Sequence, residues 1–417
     1  MVERQNIFLK ADDKRVLLRN FNVGSEKRIL NVLERILKLS EEDVLRKWNG
    51  IQNNFSERHR NFEILILDNY KKVEPFIQND SISEVRKKLI GSYFSHEYSI
   101  EAASLFNPSI VAHPDQTGLN DSQIRVIISL RATGEGHISS IEFRSGIINS
   151  NGEVKLDKFD RFVGSGNYNP PKSGGEYLYK VQFEKVTPLS EKVLFPLHPM
   201  ESNGMEDARF VKFVDENKEI YYSTYTAYDG KSISVNLIET YNFNEFKIFK
   251  LNGSEAKDKG MALFPRKING KYKMISRQDG ENIYIMESDN LFEWNEKKIL
   301  STPKFDWDFI QLGNCGSPLE IDEGWLLITH GVGPLRKYVI SALLLDKDNP
   351  DKIIGYLPFP LIEPDEDERE GYVPNVVYSC GSIIHNEKLI IPYAMSDSAT
   401  RFASVSISKL LNNMTKI

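Results

Sequence analysis

The chain has 417 residues, 40% hydrophobic and 27% charged, with a net charge of -6. These are the proportions of a globular protein, and the acidic balance excludes the basic footprint of a nucleic-acid binder. Two cysteines, Cys315 and Cys380, exclude a disulfide framework and a zinc spacing.

The opening residues, Met1-Val2-Glu3-Arg4-Gln5-Asn6, lack the apolar core of a signal peptide, and no apolar run reaches membrane-spanning length. With the unpaired cysteines, this predicts a cytoplasmic protein with no membrane partner. Residues 1–95 read as a helical extension. Ile29, Leu30, Val32, Leu33, Ile36 and Leu37 recur at helical spacing. Ser40 before Glu41-Glu42-Asp43 predicts an N-cap and a second helix through Val44, Leu45 and Trp48. Helical pattern returns from Phe62 to Leu67 and from Val85 to Leu89. No heptad persists, so packing on the main body or a homodimer contact is expected rather than a free coiled coil.

Beyond Phe106 the texture becomes short apolar strands broken by Gly, Asn, Asp and Pro, which predicts an all-β region over 96–417. Repeat units open at Asn107-Pro108, Glu206-Asp207, Leu263-Phe264-Pro265, Ser317-Pro318 and Ser382-Ile383. The later units recur roughly every 55–60 residues, near the range for propeller blades. Five units predict a five-bladed β-propeller, with Gly164 to Gly175 as an inserted loop.

Several unit starts carry polar groups. In extended backbone, adjacent Glu206 and Asp207 point to opposite faces, so one of them is expected beside Arg209. Arg277 ends a strand, Asp279-Gly280 turns, and Glu281 opens the next strand. Gly313-Asn314-Cys315-Gly316 approaches Glu320 with small residues, and the following strand ends at His330-Gly331. Arg131 precedes a glycine-rich loop that has no Walker ending, and Tyr393 adds a polar end in the last unit. Carboxylates, arginines, a histidine and aromatics together suit a sugar. Inverting cleavage pairs an acid with a base at roughly 6.5–9.5 Å, whereas phosphate-dependent cleavage needs a cationic pocket. The acidic run from Glu363 to Glu368 reads as a solvated loop, and no metal or cofactor is called for.

Asn107-Pro108-Ser109, Gly204-Met205-Glu206-Asp207-Ala208-Arg209, Leu263-Phe264-Pro265 with Gly270-Lys271-Tyr272, and Gly324-Trp325-Leu326 with His330-Gly331 resemble glycoside hydrolase family 130 in order and spacing. The family comprises β-mannoside phosphorylases and β-mannosidases on a five-bladed propeller. The resemblance implies that Asp207 is the acid of the Glu-Asp-Pro-Arg motif, relaying a proton through a sugar hydroxyl, although Ala208 replaces the proline. Arg277 and His330 match phosphate ligands of the phosphorylases. Lys259 stands where an arginine is expected, and Gln311 where the phosphorylases carry lysine. One cation is therefore lost, and Glu281 and Glu320 stand near the phosphate positions in sequence. This departure resembles the hydrolytic branch. It implies an inverting exo-acting β-1,2-mannosidase with Glu281 and Glu320 as the catalytic pair. Asn107, Arg131, Arg209, Arg277, Gln311, His330 and Tyr393 are then substrate-binding. A phosphorylase that releases mannose 1-phosphate is the alternative, and a non-catalytic saccharide- or protein-binding propeller is the second.

Overall fold

The computed structural model describes the chain except residues 79–80, 172–175 and 217. Two units emerge, one of residues 12–101 with 160–164, the other of 1–11, 102–159 and 165–417.

The smaller unit holds helices Glu26–Leu37, Glu41–Phe55, Phe62–Lys71 and Glu84–Tyr93, with a hairpin of Val16–Asn20 and Ser95–Ser99. Ser25, Ser40 and Ser83 each accept a backbone N–H from the first turn of a helix, which satisfies an otherwise orphaned donor. Leu33, Ile36, Val44, Tyr70, Leu89, Ile90 and Phe94 form the core. At Gly91 a Cβ would lie 2.2 Å from the Ile66 carbonyl oxygen, so only glycine permits this helix crossing. Arg86 donates to the Ile36 and Leu39 carbonyls at 2.6 and 2.7 Å, closing the end of the first helix.

The larger unit is β throughout most of its length. A first antiparallel meander runs Ser104–Ala112, Ile124–Thr133, Ser139–Ile148 and Val154–Leu156. The second runs Gly204–Asp215, Lys218–Tyr228, Ile233–Thr240 and Glu245–Lys250, extended at its edge by Tyr179–Gln182 and Asn167–Asn169. The third is Lys259–Leu263, Tyr272–Arg277, Ile283–Ser288 and Lys297–Ser301. In the fourth, Gln311–Asn314 and Leu319–Ile321 pair with Gly324–Val332, followed by Tyr338–Leu345 and Ile353–Tyr356. In the fifth, Val377–Tyr378 and Ile383–His385 pair with Lys388–Met395, followed by Ala399–Ser406. Ser104–Ala112 packs on Gly204–Asp215, that strand on Lys259–Leu263, and that in turn on Gln311–Asn314. The fifth meander returns to Ser104–Ala112 through Lys388–Met395.

The outermost strand of the fifth meander is Glu3–Lys10, paired antiparallel with Ala399–Ser406. The expected helical extension over 1–95 is corrected here. Leu9 is buried and Ile7 partly so, both against Phe402 and Ile390, so the first residues belong to the sheet. The stretch from Gly164 to Gly175 contains the strand Asn167–Asn169, and its last four residues lie outside those described.

The opening strands of the first three meanders share one irregularity. Between Phe106 and Ser109, Glu206 and Arg209, and Lys259 and Ala262, three residue steps oppose two on the partner strand. Each is a β-bulge, and each contains a left-handed residue: Asn107 at φ 47°, Asp207 at φ 55° and Gly260 at φ 82°. Bulges re-aim side chains that strict alternation would separate. They place three kinked strand starts at the same end of the unit.

Candidate active site

The bulges explain the central cluster. Because alternation is broken at Asp207, both Glu206 and Asp207 reach Arg131, which corrects the expectation of opposite faces. Arg131 Nη2 donates to Glu206 Oε1 at 2.7 Å and Nη1 to Asp207 Oδ1 at 3.3 Å. From the neighbouring bulge, Asn107 Nδ2 donates to the same Asp207 oxygen at 2.7 Å. Lys259, in the third bulge, donates to Glu206 Oε2 at 2.9 Å. Burial opposes ionisation of Asp207, but Arg131, Lys259, Arg209 and the Asn107 hydrogen bond outweigh it and hold its carboxyl below the usual range.

Arg209 donates to the Asn314 carbonyl at 3.1 Å and to the Tyr378 hydroxyl. His330 lies between Tyr338, stacked at 5.7 Å, and Tyr378, edge-on at 4.9 Å. A Cβ on Gly313 would come within 2.3 Å of its ring. Burial, with Arg277 and Arg209 facing it, pushes the imidazole well below its ordinary value, so it is neutral. Its Nε2 lies 3.2 Å from Arg277 Nη1 and accepts from it, leaving the proton on Nδ1, which lies 4.0 Å from Cys315 Sγ. The Gln311 amide N–H faces the Gly280 carbonyl at 3.1 Å, and its oxygen accepts from Arg277.

A further carboxyl comes from Asp397, missed as a candidate in the sequence. It sits with Ser396 in the three-residue connection between Lys388–Met395 and Ala399–Ser406, the two at φ 51° and 46° forming the centre of a turn that Ser398 N closes on the Met395 carbonyl at 3.0 Å. Such turns favour Asn-Gly, so this strained pair is itself a signal of function. Burial and the nearby Asp207 push the Asp397 carboxyl up to about 6, against Arg131 and Arg336. Its folded-state pKa thus stands above the ordinary 3.8, and stability is lost as pH rises through that window. The stability gain of Asp397→Asn over wild type should grow from about pH 4 to about pH 7. Melting temperatures across that range check it, and a constant difference would contradict the assignment.

The cluster thus joins Asn107, Arg131, Asp207, Arg209, Arg277, Gln311 and His330 with Glu206, Lys259, Tyr378 and Asp397. Among the described residues, two of its buried polar atoms, Asn107 Oδ1 and Arg277 Nε, and Oδ1 of Asn314, whose carbonyl holds Arg209, have no hydrogen-bond partner. Orphaned groups converging on one place are the mark of a site built for a ligand.

Glu281 and Glu320 do not form a pair. Glu281 is exposed in the turn next to Gln311, its carbonyl accepting from Leu312 N at 2.8 Å. Glu320 lies opposite Trp325, whereas Leu312 lies opposite Gly331. Six strand steps separate those positions, about 20 Å. Glu320 instead receives two hydrogen bonds from Arg266, at 2.7 and 2.8 Å. The small residues before it serve neighbouring chain: a Cβ on Gly316 would lie 2.4 Å from the Cys380 carbonyl. Glu320→Gln should leave turnover within about twofold and cost at most about 1 kcal/mol of stability. A loss of orders of magnitude in a steady-state assay would restore the pair.

Tyr393 is also elsewhere. It is buried on a middle strand and donates to Glu368 Oε1 at 2.6 Å. Glu368 also receives Arg4 and Arg401, at 3.1 and 3.0 Å. The acidic run was expected to be a solvated loop, yet its Glu368 is 0% exposed and ties the first strand to the last meander.

The family model of glycoside hydrolase family 130, described as β-1,4-mannooligosaccharide phosphorylase, matches residues 167–416. A 1,2-β-oligomannan phosphorylase from Thermoanaerobacter sp. (strain X514) is 30% identical over 61% of this chain and 82% of its own length. The β-1,2-mannobiose phosphorylase of Listeria innocua, solved with β-1,2-mannobiose, superposes with a TM-score of 0.52 at 23% identity, covering 75% of this chain and 92% of that one. A structure described with family members that hydrolyse β-1,2 mannosidic linkages in Candida mannan gives a TM-score of 0.53 at 17% identity, over 75% of this chain and 87% of that one. A family model matching more than half of the residues and a relative covered over most of its length lead to one conclusion: the chain belongs to glycoside hydrolase family 130.

Proposed function

We propose that this family member is a phosphorylase of β-1,2-linked manno-oligosaccharides, and that its five meanders are the blades of a five-bladed propeller. The observation that carries the phosphorylase reading is Arg277. Among the described residues it has no carboxylate partner, its buried Nε is unsatisfied, and it stands beside an imidazole that burial keeps neutral. Arg131, Arg209 and Lys259 face the carboxylates Glu206 and Asp207, and Arg131 with Arg336 faces Asp397, so Arg277 is left for an incoming anion.

In this mechanism a phosphate oxygen attacks the anomeric carbon and the bond from that carbon to the glycosidic oxygen breaks. The departing oxygen takes a proton by way of Asp207, directly or through a sugar hydroxyl. Asp207 is ionised at rest, so it takes up a proton as the substrates bind before it acts as the acid; the O–H proton that the attacking phosphate then releases restores the balance. The products are mannose 1-phosphate and a mannoside shorter by one unit. Asn107, Arg131 and Asp397 hold the sugar, and Arg277 with His330 holds the phosphate.

Hydrolysis, as an inverting β-1,2-mannosidase, is the second reading. It is favoured by Gln311 where a second cation would strengthen the anion site, and by the exposed Glu281 carboxylate at the same end. The rate of β-1,2-mannobiose breakdown as inorganic phosphate is raised from zero decides between them. Phosphorolysis predicts no breakdown without phosphate and saturation with it. Release of mannose at a rate indifferent to phosphate overturns it in favour of hydrolysis.

A further inference from the structure

Beyond the bulges, the five meanders converge a second time. Ile110, Phe210, Pro265, Leu319 and Ile383, one from the opening segment of each meander, line a cavity of about 350 Å³. No residue of the Asp207 cluster lines it. The packing between the two places is tight. A Cβ on Gly381 would lie 2.4 Å from Ser109 Oγ, which itself accepts from Phe210 N at 3.2 Å. Cys380 N donates to the Pro108 carbonyl at 2.8 Å. The cavity therefore stands apart from the cluster, further along the same strands.

Its size and its mainly apolar walls are those of a small-molecule site. The charged residues that line it are all paired. Arg266 holds Glu320 through two hydrogen bonds and lies 4.9 Å from the centre of the Trp325 ring, and Lys212 Nζ lies 2.7 Å from Glu219. A charged ligand would have to break one of these pairs or stay buried without a partner, and both are costly. A neutral ligand does neither.

Polar groups, by contrast, are left over. Ser317 and Ser382 both line the cavity, and among the described residues each has a buried hydroxyl with no hydrogen-bond partner. Ser382 is only 7% exposed, so bulk water does not readily supply one. Ser104–Ala112, Lys259–Leu263, Leu319–Ile321 and Ile383–His385 each pair on one side only, and such edges offer further backbone donors and acceptors. We propose that this cavity is a second binding site, for a neutral, largely apolar small molecule that carries one hydrogen-bonding group. The proposal is independent of the mannoside reading of the Asp207 pocket.

Calorimetric titration with indole tests it, with indoleacetate as the charged counterpart. Indole is a neutral apolar bicycle with one N–H, which a serine hydroxyl can accept. The wild-type protein should bind one indole per chain, and indoleacetate roughly tenfold or more weakly. Ala112→Phe and Ser382→Val add bulk at two of the walls, and each should weaken indole binding roughly tenfold. Thermal melting reports whether each variant is folded, and either one suffices if the other is not. Indole that does not saturate at one site, indoleacetate that binds as tightly as indole, or indole affinity unchanged in the folded variants overturns the site.

Discussion

Asp207→Asn should lower kcat by between about a hundredfold and ten-thousandfold, the span of general acid catalysis. The substitution preserves shape, and Arg131 and Lys259 keep Glu206 as a partner, so the fold should persist. What is lost is the group that passes the proton to the leaving oxygen. Asp207 is held by Asn107 from a neighbouring meander and by Arg131 from that meander's second strand, so it is fixed from two directions. Steady-state rates with thermal melting as a control measure this. Activity within tenfold of wild type would remove Asp207 from the mechanism.

Arg277→Ala should cut phosphate-dependent turnover by roughly a hundredfold to a thousandfold, the usual cost of removing one preorganised donor at a developing or incoming charge. The loss should fall on phosphate: its KM rises, while calorimetric affinity for mannose stays near wild type. Arg277 has no carboxylate partner among the described residues, so truncation leaves no buried acid uncompensated. Arg277→Lys should recover only part of the rate, because an ammonium lacks the planar fork that matches phosphate oxygens. An Arg277→Ala enzyme with unchanged phosphate KM would contradict the anion role.

The helices were readable because their signals are local. Ser40 caps where its sequence context says it should, and the apolar spacing of Leu33 and Ile36 marks the buried face. The β texture beyond Phe106 was readable for the same reason. The first strand was not: Glu3–Lys10 gains its identity only by pairing with residues nearly four hundred positions away. In the site, Asp207, Arg209, Arg277 and His330 stood out by motif. The bulges did not, because a period-two pattern contains no sign of the extra residue that swings Asp207 beside Glu206. Glu320 misled for a related reason. The small residues before it look like room for a ligand, but Gly313 makes room for His330 and Gly316 for the Cys380 backbone. Asp397 was hidden because Ser396-Asp397 lacks the Asn-Gly signature of the turn it forms.

The most direct test of the account is a crystal structure of the protein with mannose and phosphate bound together. It should show the sugar hydroxyls on Asn107, Asp207 and Asp397, with the phosphate on Arg277 beside His330 and facing the anomeric carbon. Phosphate bound away from Arg277, or the sugar bound near Glu320 and Arg266 at the far end of the strands, would contradict it.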